Sequence, residues 1–422
     1  MIRVAHFSDL HYGSKTLAEA DRCYGAAIDK AIALGVDAAV VSGDATDHAL
    51  DLHAPAARRL AEQVRRLADH CPVLLLQGTF SHEPPGTLAL LQLLGGRYPV
   101  HVADRIQQVA LTDDGGWQVS PTWRFAAPPS RRRLLVTCVP AVNKAVLAAT
   151  LGASEASQAV GDQLSELLRG FAPVNDAARE AGVATLGVSH GTVFGCLSEH
   201  GVPMSGFDHE FTAGALFSAR AQAFLLGHIH RHQGWHQAGP QGHQAIAYAG
   251  SIGRFHFGEE GDKGFLLWTV EADAASYRLE PTPARRTIDV VFEGRPDLAR
   301  LKDLVAQQEV GGASVRVRWT VADEDRSAVD RSAIEALLKG AAEVKLEGRI
   351  VPVVRQRAAG VSRLGSLAEK VQAWSRIAEV LPGPMLDCLH ALEAEQPEVI
   401  AERILGAAPG PQHADIPRKV ST

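Results

Sequence analysis

Five polar clusters in this chain carry residue types that bind metal well: Asp9-Leu10-His11, Gly43-Asp44, Ser81-His82-Glu83, His190, and Gly227-His228-Ile229-His230. Each follows an apolar, strand-like run, at Ile2–Phe7, 36–41, Val73–Leu76, 183–188 and 223–226. One carboxylate or histidine at the end of a strand means little. Five in succession describe a single site at the lip of a sheet, where open α/β sheets place their chemistry. Imidazole combined with carboxylate suits zinc, manganese or iron better than an all-oxygen calcium site. In an extended strand, residues i and i+2 face the same side. Asp9 with His11, and His228 with His230, therefore each present two donors together. Asp44 follows a glycine that lets the backbone approach closely, which places it to bridge two ions. Asp9, His11, Asp44, His190, His228 and His230 are too many ligands for one tetrahedral zinc and suit a two-metal site. Two ions about 3.5–4 Å apart can hold a hydroxide between them and brace an in-line displacement at phosphorus. The chemistry implied is that of a metal-dependent enzyme.

The elements that must position these residues alternate between strand and helix. A helical pattern runs over 17–34, and Pro55 opens a second that ends near His70, proline being suited to a first helical turn. From about 104 to 181 the signals are mostly turns, such as Asp113-Asp114-Gly115-Gly116, followed by a helix over 155–169. Further strands at 245–248 and 265–270 are expected in the same layer as the ligand strands. The pattern predicts a layered α/β sandwich over 1–280, with sheets flanked by helices and some antiparallel pairing late on. Pro281 and Pro283 mark a linker. A small α+β capping domain is expected over 287–357, where Val315-Arg316-Val317-Arg318-Trp319 alternates apolar and basic faces. A helical segment over 364–406 opens on the capping-box pattern Ser366-Leu367-Ala368-Glu369, and 407–422 reads as a disordered tail.

Composition narrows the class. At 422 residues, 46% hydrophobic and 21% charged, the chain is globular rather than fibrous or disordered. A formal charge of −6 excludes coating nucleic acid by bulk charge but leaves room for a local basic groove. Five scattered cysteines without a CxxC pair fit a reducing cytosol. With no leader pattern and no uncharged apolar stretch near the roughly 18 residues of a membrane span, a cytoplasmic protein off the membrane is expected.

The ordered set of clusters resembles the calcineurin-like metallophosphoesterases, whose pattern runs DxH, GDxxD, GNH(D/E), H, GHxH. The pieces here are Asp9-Leu10-His11, Gly43-Asp44-Ala45-Thr46-Asp47, Ser81-His82-Glu83, His190 and Gly227-His228-Ile229-His230. The resemblance implies two divalent metal ions. One would take Asp9, His11, Asp44 and His230, and the other Asp44, His190, His228 and the residue in the family's Asn position. His82 would protonate the leaving oxygen, oriented by Asp47. The Gly-Asn-His element departs, reading Gly78-Thr79-Phe80-Ser81-His82. Ser81 is then expected in the Asn position, as a shorter and weaker ligand.

Later segments resemble the SbcD-type DNA repair exonuclease subunits. They are Gly206-Phe207-Asp208-His209-Glu210-Phe211, then Tyr248-Ala249-Gly250-Ser251, and Phe257-Gly258-Glu259 with Lys263-Gly264. This implies a Mn²⁺-dependent DNA nuclease. His48, by its place just past Asp44, and Arg231 and Arg254, by their charge, are expected to touch substrate. Arg131-Arg132-Arg133, Arg316 and Arg318 are further candidates for phosphate contact. It also implies DNA as a partner, an SMC-like ATPase docked on the C-terminal helices, and room for a homodimer. Two rival readings stand beside it. One is a phosphoesterase for small molecules or phosphoproteins, and the other a non-catalytic DNA-end-binding subunit.

Overall fold

Residues 1–142, 153–204, 211–239, 242–259, 261–351 and 360–407 are described in a computed structural model of the chain. The quoted stretch at 206–210 and the expected tail from 408 onward lie outside the described residues. The strands before the linker are β1 (Ile2–Phe7), β2 (Ala38–Val41), β3 (Val73–Leu76), β4 (Val100–Ala103), β5 (Gln107–Thr112), β6 (Trp117–Val119) and β7 (Arg132–Val139). After these come β8 (Ala184–His190), β9 (Ala223–Gly227), β10 (Gln233–Gly239), β11 (Gly242–Tyr248), β12 (Gly264–Val270) and β13 (Ala275–Pro281). They form two sheets, ordered β13-β12-β1-β2-β3-β4 and β10-β11-β9-β8-β7-β5-β6.

The strands read as continuous apolar runs because both faces of each sheet are covered. Val4, Val40, Leu74 and Trp268 meet Val136, Leu186, Val188 and Leu225 between the sheets. On the outer face of the first sheet, Phe7, Val41 and Leu75 pack with Tyr24 and Ile28 of α1 (Leu17–Ala33) and Leu60 and Val64 of α2 (Pro55–Ala68). On the outer face of the second, Phe224, Leu226 and Ile246 pack with Leu168 and Phe171 of α3 (Ala153–Glu180) and Leu216 of α4 (Ala213–Ser218). Each fully buried Leu, Val or Phe contributes about 1.5–3 kcal/mol. The result is a helix–sheet–sheet–helix sandwich, the layered α/β class expected.

Two local expectations differ. The strands at 245–248 and 265–270 do not share a layer: β11 pairs parallel with β9, whereas β12 pairs antiparallel with β1. Strands buried on both faces lack the alternation that would tell one layer from the other. The helix expected over 155–169 continues through Pro173 to Glu180. Gly170 and Pro173 read as stops, but Gly170 is where the helix passes the Trp123 indole, which a Cβ would meet at 2.7 Å.

By compactness the chain divides into Met1–Val321 with Asp325–Arg349, and Ala322–Glu324 with the residues from Ile350 on. The α+β segment belongs largely to the first unit. It holds β14 (Thr287–Glu293), α5 (Leu298–Gln308), β15 (Ser314–Ala322), α6 (Arg331–Leu337) and β16 (Glu343–Val351) in a sheet ordered β14-β15-β16. Residues 352–357 of the expected α+β domain lie outside the described residues, as do 358 and 359. The second unit carries α7 (Leu367–Ala378), α8 (Gly383–Ala394) and α9 (Pro397–Ala407). Ser366 and Glu369 form the reciprocal capping box at the start of α7. No helix among the described residues is long and apolar enough to cross a membrane.

Candidate metal centre

Within the first sheet β1, β2 and β3 run parallel, and within the second so do β7, β8 and β9. Their carboxyl ends deliver the polar clusters to one place. The turns there are strained. Asp9, His11, Asp44 and His228 have φ of 49°, 48°, 51° and 100°, in the left-handed region that side chains other than glycine avoid. Such residues cost roughly 1–3 kcal/mol each and persist where the surroundings over-determine them.

Among the described residues four donor groups result: Asp9 with His11 and His230, His11 with Asp44 and His82, Asp44 with His190 and His228, and His230 with His256 and Glu259. In the first, His11 Nε2 and His230 Nε2 lie 2.9 Å apart, and Asp9 Oδ1 is 3.9 Å from His230 Nε2. With metal–nitrogen bonds of about 2.0–2.1 Å, two ring nitrogens at that spacing subtend roughly a right angle at a shared ion. His11 Nδ1 and His230 Nδ1 are buried and, among the described residues, lack hydrogen-bond partners. In the third group Asp44 Oδ2 is 3.3 Å from His190 Nε2. His190 Nδ1–H donates to the Ser42 carbonyl at 2.8 Å, which turns Nε2 toward Asp44. Asp44 thus shares one donor group with His11 and another with His190, and the donors suit two divalent ions.

Electrostatics without an ion agree with that fit. Burial, with the neighbouring His230, lowers the His11 pKa to about 4, so its ring is neutral and ready to bind. Burial opposes charge on His190, but the Asp44 carboxylate overrides it and raises the imidazole to about 10. Burial likewise opposes charge on Asp44, yet His190 and His11 hold it well below the ordinary carboxylate range. The proton on His190 occupies the place of a cation and must leave when one binds.

Two glycines permit the close approach. A Cβ on Gly78 would lie 2.2 Å from Asp44 N, and one on Gly43 would lie 2.2 Å from His190 Nδ1. Glu83, wholly buried, ties the loops together by accepting from Ala45 N and Gly78 N, both at 2.5 Å.

Ser81 does not take the Asn position. It is exposed. Thr79 is there instead: its N–H donates to Asp44 Oδ1 at 2.7 Å, and its Oγ1 lies 3.2 Å from Asp44 Oδ2 and 3.1 Å from His190 Nε2. The two residues following Thr79 carry the loop outward before it returns at His82. A threonine hydroxyl reaches less far than an amide oxygen. Thr79→Asn is expected to tighten the Asp44–His190–His228 centre by on the order of tenfold, about 1.4 kcal/mol. Calorimetric titration with Mn²⁺ checks this, and unchanged or weaker binding there would contradict it.

His82 stands at the edge of the cluster, its ring 5.0 Å from that of His11. Its Nδ1–H donates to the Asp47 main-chain carbonyl at 2.5 Å, which fixes the ring's orientation. Asp47 thus orients His82 through its backbone, not its carboxylate. The carboxylate lies 3.8 Å from His11 Nδ1 and 3.3 Å from His48 Nδ1, and His48 is exposed.

The expected phosphate contacts are less well supported. Arg231 is half-buried beside His230. Arg254 donates to the carbonyls of Arg285 and Gly261 at 3.0 and 2.6 Å, so its guanidinium is committed to the chain. Arg316 and Arg318 both pair with Asp289, and Arg133 pairs with Asp37. Thr79, as a neighbour of two ligands, and Glu83 as a clamp were not singled out from sequence. Adjacency to the Gly78 and His82 motif was the only signal for either.

Fold and donor set together define a two-sheet α/β sandwich with a candidate two-ion centre at its parallel-strand ends. No protein-family model matches the chain, and no curated protein matches it. Among solved structures, a dimetal phosphatase from Danio rerio is similar with a TM-score of 0.37 and 11% identity, over 66% of this chain and 98% of that one. A 5'-nucleotidase precursor from Thermus thermophilus is similar with a TM-score of 0.33 and 16% identity, over 67% of this chain and 55% of that one. Likeness at this level carries no functional argument.

Proposed function

We propose that this chain is a metal-dependent phosphodiesterase, and that its substrate is DNA. The observation that carries the chemistry is the placement of Asp44 between two histidine-bearing donor groups, with His82 at their edge. Asp9, His11, Asp44 and His230 would hold one ion, and Asp44, His190, His228 and Thr79 the other. Ions bound there would supply Lewis-acid stabilisation of charge on phosphoryl oxygens and a water activated at neutral pH. The protein's own part is to fix the donors, through the Ser42 carbonyl on His190 and the strained turns at Asp9, His11 and Asp44. It also holds His82 Nε2 where a proton can pass to a departing oxygen.

DNA as substrate rests on the segments 206–211 and 248–264 and on the α+β unit that follows them. Exposed Leu367, Trp374 and Leu381 on and beside α7 support a partner that docks there, which we propose to be an SMC-like ATPase. One observation favours the rival small-molecule phosphoesterase: Arg133, Arg254, Arg316 and Arg318 are all engaged within the chain. End-labelled DNA and bis(p-nitrophenyl) phosphate, each incubated with Mn²⁺, Mg²⁺ or EDTA, separate the two. Mn²⁺-dependent DNA cleavage abolished by EDTA is the expected outcome. Turnover of the small ester with DNA left intact would contradict the nuclease reading while keeping the phosphodiesterase.

A further inference from the structure

The two centres orient their histidines by different means. At the Asp44 centre, His190 donates its Nδ1–H to a neutral main-chain carbonyl, that of Ser42. At the other, His230 Nδ1 is buried, has no hydrogen-bond partner among the described residues, and lies 3.7 Å from Glu259 Oε1. Glu259 is itself buried and held by an equally buried lysine four residues on. Lys263 Nζ forms an ion pair with Glu259 Oε2 at 2.5 Å and donates to the His230 carbonyl at 2.8 Å and to Ser251 Oγ at 2.9 Å. Glu259 Oε1 also accepts from the N–H groups of Phe255 and His256, at 3.2 and 2.8 Å. Those two side chains line the same centre, the Phe255 ring 5.5 Å from His11 and the His256 ring stacked 5.9 Å from His230.

An ion pair buried this deeply loses both hydration shells, and well-packed apolar side chains would hold the loop at no greater cost. Its charges therefore call for a use. His230 Nε2 is the nitrogen that meets His11 and Asp9. For Nε2 to accept an ion, the ring proton must sit on Nδ1, and Glu259 is the acceptor in front of it. A carboxylate behind a metal-binding histidine fixes the tautomer and raises the basicity of the ligating nitrogen.

We infer that Glu259, anchored by Lys263, is the positioning residue for His230, and that it makes the Asp9–His11–His230 centre the tighter of the two. The inference rests on the ligand assignment but not on the identity of the substrate. The test is calorimetric titration of EDTA-stripped protein with Mn²⁺, comparing the wild-type chain with Glu259→Gln, Glu259→Asp and the charge-neutral double variant Glu259→Gln/Lys263→Met. Glutamine keeps the volume and an acceptor for the loop N–H groups, but it removes the charge behind His230. A loss of about 10–100-fold at the tighter site alone is expected, with the weaker site unmoved, the aspartate variant intermediate and the double variant no better than Glu259→Gln. Recovery of tight binding in the double variant would mean that only the unpaired lysine mattered, and would overturn the inference. So would unchanged affinities accompanied by a lowered melting temperature, which is what a purely structural pair predicts. If Glu259→Gln fails to fold, the aspartate variant carries the same comparison. A wild-type chain that binds no ion overturns the ligand assignment itself, and is thereby distinguished from two intact sites insensitive to Glu259.

Discussion

In an Asp44→Ala chain both ion centres are expected to weaken together, and phosphodiester hydrolysis to fall by at least about 10³-fold. Asp44 falls in one donor group with His11 and His82 and in another with His190 and His228, and under the proposed ligand assignment its loss removes a ligand from each ion. The Lewis-acid contribution of such ions is worth several kcal/mol, and each 1.36 kcal/mol is a factor of ten in rate. The substitution also leaves the Thr79 N–H without its acceptor and His190 without its carboxylate. Calorimetry and rate measurements on the same preparation check the prediction. Retention of one fully occupied centre would show that Asp44 does not bridge.

His82→Ala separates catalysis from binding. His82 is held by the Asp47 carbonyl and also anchors Thr46, whose Oγ1–H donates to the His82 carbonyl at 2.9 Å, an interaction that survives truncation to alanine. The fold and the metal stoichiometry should therefore persist while turnover drops about 10²–10⁴-fold, the usual value of general acid–base assistance. The deficit should shrink with a substrate whose leaving group departs without protonation, such as p-nitrophenolate. Should the variant lose an ion instead, His82 is a ligand and its assignment as proton donor is wrong. Asp47→Ala is a milder change by the same geometry, because alanine keeps the carbonyl that orients His82.

The ligand strands were legible because two independent regularities coincide in them. Each run is mostly apolar, as a strand covered on both faces must be, and each leads into a candidate donor. Parallel pairing then puts those ends on one edge. The capping box at Ser366 and the alternation of Val315, Val317 and Trp319 against Arg316 and Arg318 were equally plain, since local hydrogen bonding and a period of two need no tertiary context. What the sequence hid depends on context. Neither sheet membership of β11 and β12 nor the passage of α3 through Pro173 has a local signal. The identity of the Asn-position residue turned on loop geometry: counting back from His82 selects Ser81, whereas the backbone bond to Asp44 selects Thr79. Arginines placed for DNA by their charge proved to have partners at Asp289, Arg285 and Asp37, which lie 27 to 96 residues away in sequence.

The central claim is that this lip of the sandwich holds two ions sharing Asp44 and hydrolyses phosphodiesters with them. Stepwise addition of Mn²⁺ to EDTA-stripped protein, with hydrolysis followed at each equivalent, tests it most directly. Little activity is expected up to one equivalent, then a rise that saturates at two, and no such rise in Asp44→Ala. Saturation at one equivalent, or activity that survives full stripping, would contradict it.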